Sequence, residues 1–111
     1  MDMNPTSTYI KACIAAWLQC ENLLEQLGQH GVSFSARTQQ VLEECAQMCL
    51  YTGHALKNTL PNRHELALLC VGLCEECAEI CERYKSLLFN ACAVACRQCS
   101  AAISPIASAA V

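Results

Sequence analysis

Eleven cysteines in a chain of 111 residues are the side chains with the most chemistry to offer. Within each group of neighbours the steps are three, four or seven residues, and residues at such steps share one face of an α-helix. The thiols are therefore predicted to form stripes inside helices, where they are soft ligands for a metal ion. The candidate metal ligands are Cys13, Cys20, Cys45, Cys49, Cys70, Cys74, Cys77, Cys81, Cys92, Cys96 and Cys99.

The spacing of these thiols favours Cu(I) over other metal ions. A pair of cysteines on one rigid helix cannot wrap the tetrahedron that Zn(II) prefers, but it can place two sulfurs beside Cu(I), which is content with two or three. Each Cu(I) cancels one thiolate charge, so several ions can share a core in which bare thiolates would be too costly. The pairs at i, i+4 are Cys45/Cys49, Cys70/Cys74, Cys77/Cys81 and Cys92/Cys96.

Other roles for the thiols fit the sequence less well. Iron–sulfur cysteines usually lie on loops, and a thioredoxin-type CxxC lies beside a parallel sheet, but the sequence predicts neither setting. Simple packing suits any single cysteine, yet alanine or leucine would fill a core without the risk of oxidation. The three histidines are predicted to be surface residues and Met48 to pack beside a stripe. Because no nucleophile–base set, phosphate loop or inward carboxylate pair is recognised, no enzyme is predicted.

Composition limits the partners and the compartment. The net charge is -3 with only seven lysines and arginines, which argues against nucleic acid. We recognise no apolar run near the roughly 18–20 residues of a membrane helix, and the first residues do not resemble a secretory signal. The protein is therefore expected in the cytoplasm without a membrane partner. Thiols stay reduced there, and an odd number of them fits poorly with a fully paired disulfide framework.

The chain is predicted to be a single all-α domain over residues 1–111. Strand-forming aromatic and β-branched residues are few, whereas Ala, Leu and Cys are common. Capping residues are Asn4 for the first helix and Ser33 or Ser35 for the second, and Pro105 is predicted to end or kink the fourth. The helices are predicted at about 5–28, 34–58, 61–84 and 87–104.

Short connections between four helices imply an antiparallel up-down-up-down bundle with a cysteine-lined core. With a rise of about 1.5 Å per residue and alternate helices reversed, every cysteine lies about 12 to 28 Å from the end where the first helix starts. Spacing within a helix does not require this agreement between helices. The eleven thiols are therefore predicted to share one central chamber.

The segments CAQMC at 45–49, CVGLCEECAEIC at 70–81 and CAVACRQC at 92–99 resemble those of the cytosolic copper storage proteins. The resemblance covers most of the chain and is most specific in the third helix. It implies a Cys-rich four-helix bundle that holds many Cu(I) ions along its core and assembles as a homotetramer. It also implies copper ions, and the chaperones that carry them, as partners.

The chain departs from the family pattern where family members continue the thiol stripes. Apolar residues at these positions predict a lower capacity and a hydrophobic plug at one or both ends of the chamber. They should also let the metal-free protein fold. The positions are Trp17, Leu24, Leu27, Ala67, Phe89 and Ile103.

The predicted function is thus to bind and store Cu(I) and so to buffer cytosolic copper. Two alternatives remain open at this stage. One is a structural or interaction bundle whose thiols form a degenerate or zinc-binding site. The other is a thiol redox sensor, which would form reversible disulfides under mild peroxide and take up little copper.

Overall fold

Four antiparallel helices make up the described part of the chain, residues 5–30 and 34–109, in this computed structural model. Around the bundle, each helix packs against the helices before and after it, and the fourth closes against the first. The predicted all-α, up-down-up-down bundle is confirmed. The helices are α1 (Pro5–His30), α2 (Ala36–Lys57), α3 (Arg63–Glu82) and α4 (Leu87–Ser108).

The starts of the helices follow local capping chemistry. Ser35 caps α2, because its side chain accepts a hydrogen bond from the backbone N–H of Thr38 at 3.0 Å. The third helix begins at Arg63, two residues later than predicted, with Pro61 in the turn before it. Ser33, the alternative cap of α2, and Asn4, the predicted cap of α1, lie outside the described residues.

The end of α2 is a Schellman turn built on an unusual residue. The N–H of Leu60 donates to the carbonyl of Ala55 at 2.9 Å, and the N–H of Thr59 donates to that of Leu56 at 3.4 Å. Thr59 has a φ of 50°, in the left-handed region that glycine normally fills at this position. A β-branched side chain is strained there.

The fourth helix continues through Pro105 to Ser108, so the predicted end near residue 104 is wrong. Proline has no N–H to offer the carbonyl of Ala101, but both residues are exposed and water can take its place. The side chain of Ser104 donates to the carbonyl of Ser100 at 2.6 Å within the same turn. The helix therefore tolerates a proline on its solvent side.

The fourth helix is more apolar than predicted. Its mean hydropathy of 1.2 over an 18-residue window and its 22 residues would suffice to cross a membrane by length and composition alone. A buried core helix passes the same test, and 44% of that window is buried inside the bundle. The inner face of α4 lines the core with cysteines. Its outer face, like the inner one, lacks charged residues.

The inner face of α1 is displaced by one residue from the prediction at two positions. Ala16 and Leu23 are buried, whereas Trp17 and Leu24 are only partly buried and pack against the edge of the core. The small Ala16 side chain lies between Cys13 and Cys20 on the inner face of α1, so neighbouring helices can approach α1 closely there. Gly53 on α2 serves the same end, because a Cβ placed on it would lie 3.4 Å from the Cβ of Cys13.

The third helix buries its cysteine stripe as expected, while the neighbouring Leu69 is 56% exposed. Three glutamates on its solvent-exposed side bind arginines of neighbouring helices. Arg97 of α4 pairs with Glu75 and, at 2.8 Å, with Glu82, while Arg37 of α2 pairs with Glu76 at 2.9 Å.

Candidate metal centre

All eleven cysteines lie within the described residues, and every one is a free thiol with 0% exposure. Their sulfurs therefore lie in the interior of the bundle rather than on its surface. The predicted gathering of thiols from four helices into one central zone is seen in the structure.

Nine of the sulfurs form three cross-helix clusters in which all atoms lie within 4.8 Å of one another. The central cluster shares Cys74 with one neighbouring cluster and Cys96 with the other, so the three are continuous. The clusters are Cys49/Cys70/Cys74/Cys99, Cys45/Cys74/Cys96 and Cys20/Cys77/Cys92/Cys96.

The remaining two cysteines extend this row at its ends. The sulfur of Cys13 lies 3.9 Å from that of Cys99, and Cys81 interacts with Cys77. We call the resulting row of eleven sulfurs the thiol column. Direct Sγ–Sγ distances along it run from 3.6 Å for Cys49–Cys74 to 3.9 Å for Cys20–Cys96.

Contacts between helices, rather than pairs on one helix, organise the column. Of the predicted i, i+4 pairs, Cys70/Cys74 and Cys92/Cys96 each lie within one cluster. The members of Cys45/Cys49, in contrast, belong to different clusters. Each cluster draws its three or four sulfurs from three helices, which brings to one point more sulfurs than a single helix can offer.

Hydrogen bonding among the thiols shifts their pKa values in both directions. Hydrogen bonding with Cys45 is the main cause that raises the pKa of Cys20 and of Cys74, and burial adds to it. Hydrogen bonds from Cys20 and Cys13 lower the pKa of Cys45 and Cys99, respectively, because they stabilise the thiolate. The column therefore places readily ionised sulfurs beside sulfurs that hold their protons.

One end of the column is closed by stacked aromatic rings. Tyr84 lies on Phe89 with ring centroids 4.0 Å apart, and its hydroxyl is 2.9 Å from the Oγ1 of Thr38. Leu27 and Leu42 are buried at the same end. This apolar layer agrees with the predicted plug.

The other end has an apolar layer and, beyond it, a cavity of about 270 Å³. Ile103 and Ala67 are completely buried in that layer. The cavity lies at the level where α1 and α3 begin, and it is lined by Tyr9, Leu56, Thr59, Arg63, His64 and Ile106.

His64 was predicted to be an ordinary surface residue, but it is partly buried and lines this cavity. Its Nδ1 lies 3.2 Å from the carbonyl oxygen of Ile106. A carbonyl can only accept, so Nδ1 donates this hydrogen bond. Because His64 lies off the thiol stripe, helical spacing gave no sign of its place at the cavity. His54 is exposed as expected.

Comparison with known proteins identifies the family. The family model described as copper storage protein matches residues 2–108. The chain belongs to the copper storage protein family. A cysteine-rich protein of Bacillus subtilis (strain 168), YhjQ, is 30% identical and is matched over 83% of this chain and 90% of its own length.

Two solved structures share the fold of this family member. The Cu(I)-bound copper storage protein BsCsp3 superposes with a TM-score of 0.86 at 24% identity, covering 94% of this chain and 99% of that one. The metal-free Csp3 from Bacillus subtilis superposes with a TM-score of 0.82 at 25% identity, covering 92% and 98%. The buried clusters of this copper storage protein offer several sites for Cu(I).

Proposed function

We propose that the protein binds several Cu(I) ions per chain through its eleven core thiols and thereby buffers copper in the cytoplasm. The observation that carries this proposal is the continuity of the thiol column, with neighbouring sulfurs 3.6 to 3.9 Å apart across helices. Membership of the copper storage family supports the same role. Free thiols in every position suit a reducing compartment.

Copper loading exchanges protons for cations at the buried sulfurs. Each bound Cu(I) replaces thiol protons, so its charge is balanced by thiolate inside a core that excludes water. Shared sulfurs such as Cys74 and Cys96 can bridge ions in adjacent clusters. The row is thus suited to a series of ions rather than to one isolated site.

The assembly and the delivery route are part of the same proposal. By analogy with the family, the protein forms a homotetramer and receives its copper from a copper chaperone. The role is storage rather than catalysis.

Anaerobic titration of the reduced protein with Cu(I), against a strong competing chelator, tests the proposal. We expect several equivalents per chain to be held against the chelator. Uptake of one equivalent or none would refute storage and leave the thiols a structural role.

A matched pair of substitutions tests which sulfurs bind. Cys74→Ser removes a ligand shared by two clusters, whereas Cys81→Ser makes the same chemical change in a thiol outside all three. We expect Cys74→Ser to lose more copper equivalents than Cys81→Ser, with unchanged helix content by circular dichroism. Equal losses would show that the clusters do not define the sites.

Zinc is a second candidate ligand because two clusters contain four sulfurs each. Tetrahedral Zn(II) with bonds of about 2.3 Å places its sulfurs about 3.8 Å apart, close to the separations in the column. Two such clusters would bind at most two Zn(II) ions per chain, whereas we expect a copper store to bind more than two Cu(I) ions. Measuring how many ions of each metal the protein binds when both compete under anaerobic conditions distinguishes these functions.

A further inference from the structure

We propose that the cavity at the level where α1 and α3 begin binds a small organic carboxylate, that is, an anion with a short apolar body. This site goes beyond copper storage, because the residues that line it include none of the eleven thiols of the thiol column. A failure of this proposal therefore leaves the storage proposal untouched.

Residues from all four helices meet at this cavity. Tyr9 comes from α1, Leu56 from the last turn of α2, Arg63 and His64 from the first turn of α3, and Ile106 from the last turn of α4. The volume of about 270 Å³ lies just below the range of about 300–1,000 Å³ that is usual for small-molecule pockets. A ligand of this cavity is therefore a small molecule with a body of a few carbons.

Arg63 provides the charge that selects an anion. Its side chain is partly buried, and its Nη1 donates to the carbonyl of Leu60 at 2.9 Å. Among the described residues, the ion pairs of arginine join Arg37 and Arg97 to glutamates, and none of them involves Arg63. A partly buried charge is stabilised by pairing, and the remaining N–H groups of a guanidinium fit both oxygens of a carboxylate.

Hydrogen bonds hold the walls of the cavity in place. His64 donates from Nδ1 to the carbonyl of Ile106 at 3.2 Å, which ties the start of α3 to the end of α4. The N–H of Arg63 donates to the carbonyl of Leu60 at 3.2 Å, so the turn before α3 is fixed as well. Walls that are already ordered lower the entropic cost of binding a small ligand.

Thr59 carries backbone strain at the rim of the same cavity. Its φ of 50° lies in the left-handed region, where a β-branched residue is costly. Strained residues cluster at ligand sites, where the side chain has a use in that position. The hydroxyl of Thr59 can donate to a carboxylate oxygen, which glycine at this position could not do.

The apolar part of the lining determines what else the ligand must carry. Leu56 is buried and Ile106 packs against the core, so these two side chains offer a surface to an aliphatic body. Inorganic phosphate would leave that surface unused. A soft metal ion is disfavoured because, within the described part of the chain, no sulfur lines the cavity and the charge of Arg63 repels cations.

NMR titration of the reduced, metal-free full chain tests the proposal with three probes. These are hexanoate, hexanamide, which has the same body without the charge, and inorganic phosphate, which has the charge without the body. Arg63→Gln removes the cation, and Thr59→Gly removes the hydroxyl while it relieves the backbone strain. Arg83→Gln is the matched control, the same change in an exposed arginine at the opposite end of α3. Circular dichroism confirms the fold of each variant.

We expect hexanoate to shift the backbone amide signals of residues 59, 63 and 64 saturably, with a Kd of about 1 mM, and the other two probes to bind at least about tenfold more weakly. Arg63→Gln should weaken hexanoate binding by at least about tenfold and Thr59→Gly by about threefold, because each removes a hydrogen bond to the carboxylate. Arg83→Gln should leave it unchanged.

The proposal is overturned by hexanoate shifts that do not saturate below about 20 mM, since that would mean no specific site. Equal binding of hexanamide would assign the cavity to neutral apolar ligands, and equal binding of phosphate would make it a general anion site; either result overturns it. So does unchanged affinity in the Arg63→Gln or the Thr59→Gly variant. Copper stoichiometry, measured in parallel, tests storage separately.

Discussion

Cys74 and Cys96 show how single residues determine what the column can hold. Each belongs to two clusters, so each sulfur lies within reach of two candidate metal positions. The cysteines that occupy the column's ends, Cys13 and Cys81, belong to no cluster and extend it through one or two neighbours. Capacity therefore depends on where a thiol lies as well as on how many there are.

Thr59 provides a residue-scale prediction about stability. Glycine has no Cβ to strain at a φ of 50°, although it gives the unfolded chain more freedom. Thr59→Gly is therefore expected to raise the free energy of unfolding by about 1 kcal/mol. Urea denaturation of the metal-free protein measures the change.

Thr59→Ala is the control for this prediction. It removes the β-branch but keeps a Cβ in the left-handed region, so it should recover only part of the gain. A Thr59→Gly protein less stable than the wild type would mean that the threonine side chain contributes contacts worth more than its strain.

At the scale of the helices, we expect the apolar layers at the ends of the column to hold the bundle together without metal. Ile103 is completely buried one turn beyond Cys99 and is not a candidate ligand. Ile103→Ala should lower the free energy of unfolding of the metal-free protein by about 2–5 kcal/mol, because it removes apolar contacts and leaves a cavity. Copper stoichiometry should stay unchanged.

The exposed Leu69 gives the matched control for the Ile103 change. Leu69→Ala shortens a side chain of similar size at an exposed position, so the free energy of unfolding should change by no more than about 0.5 kcal/mol. Thermal or urea unfolding of the two variants compares them directly. Equal destabilisation would contradict the assignment of Ile103 to the core layer.

Across the whole molecule, the buried thiols make the stability of the metal-free protein depend on pH. Thiols whose pKa is raised in the fold stay protonated above pH 9.0, whereas the same thiols ionise in the unfolded chain. Their contribution is therefore fully present below about pH 9 and is lost as pH rises further, by up to about 1.4 kcal/mol per pH unit for each thiol. The thiols with a raised pKa are Cys13, Cys20, Cys49, Cys74, Cys77, Cys81 and Cys92.

Urea midpoints of the metal-free and copper-loaded proteins between pH 8 and pH 10 measure this loss. The metal-free protein should weaken above pH 9, while the copper-loaded protein should not, because its sulfurs are already thiolates. A metal-free protein with constant stability across that range would show that the thiols ionise in the folded state as they do in the unfolded chain.

The sequence predicted correctly the zone of the bundle in which the cysteines lie. It did not predict which individual residues are neighbours in the core. Helical period and rise alone placed all eleven thiols in one central zone. The same period did not separate Ala16 and Leu23 from Trp17 and Leu24, because both sets lie near the inner face and only packing selects between them. Pro105 was a misleading stop signal because its effect depends on whether the affected carbonyl is exposed.

The sequence by itself determined the helical class, the antiparallel order and the central gathering of thiols, since these follow from local spacing and chain direction. Only the tertiary structure decided which sulfurs are neighbours, because that depends on the rotation and approach of facing helices. Close packing at Ala16 and Gly53 brings helices together, and the resulting clusters combine cysteines from three helices. The same packing decided that α4 presents an uncharged outer face, since Arg97 is bound by glutamates of α3.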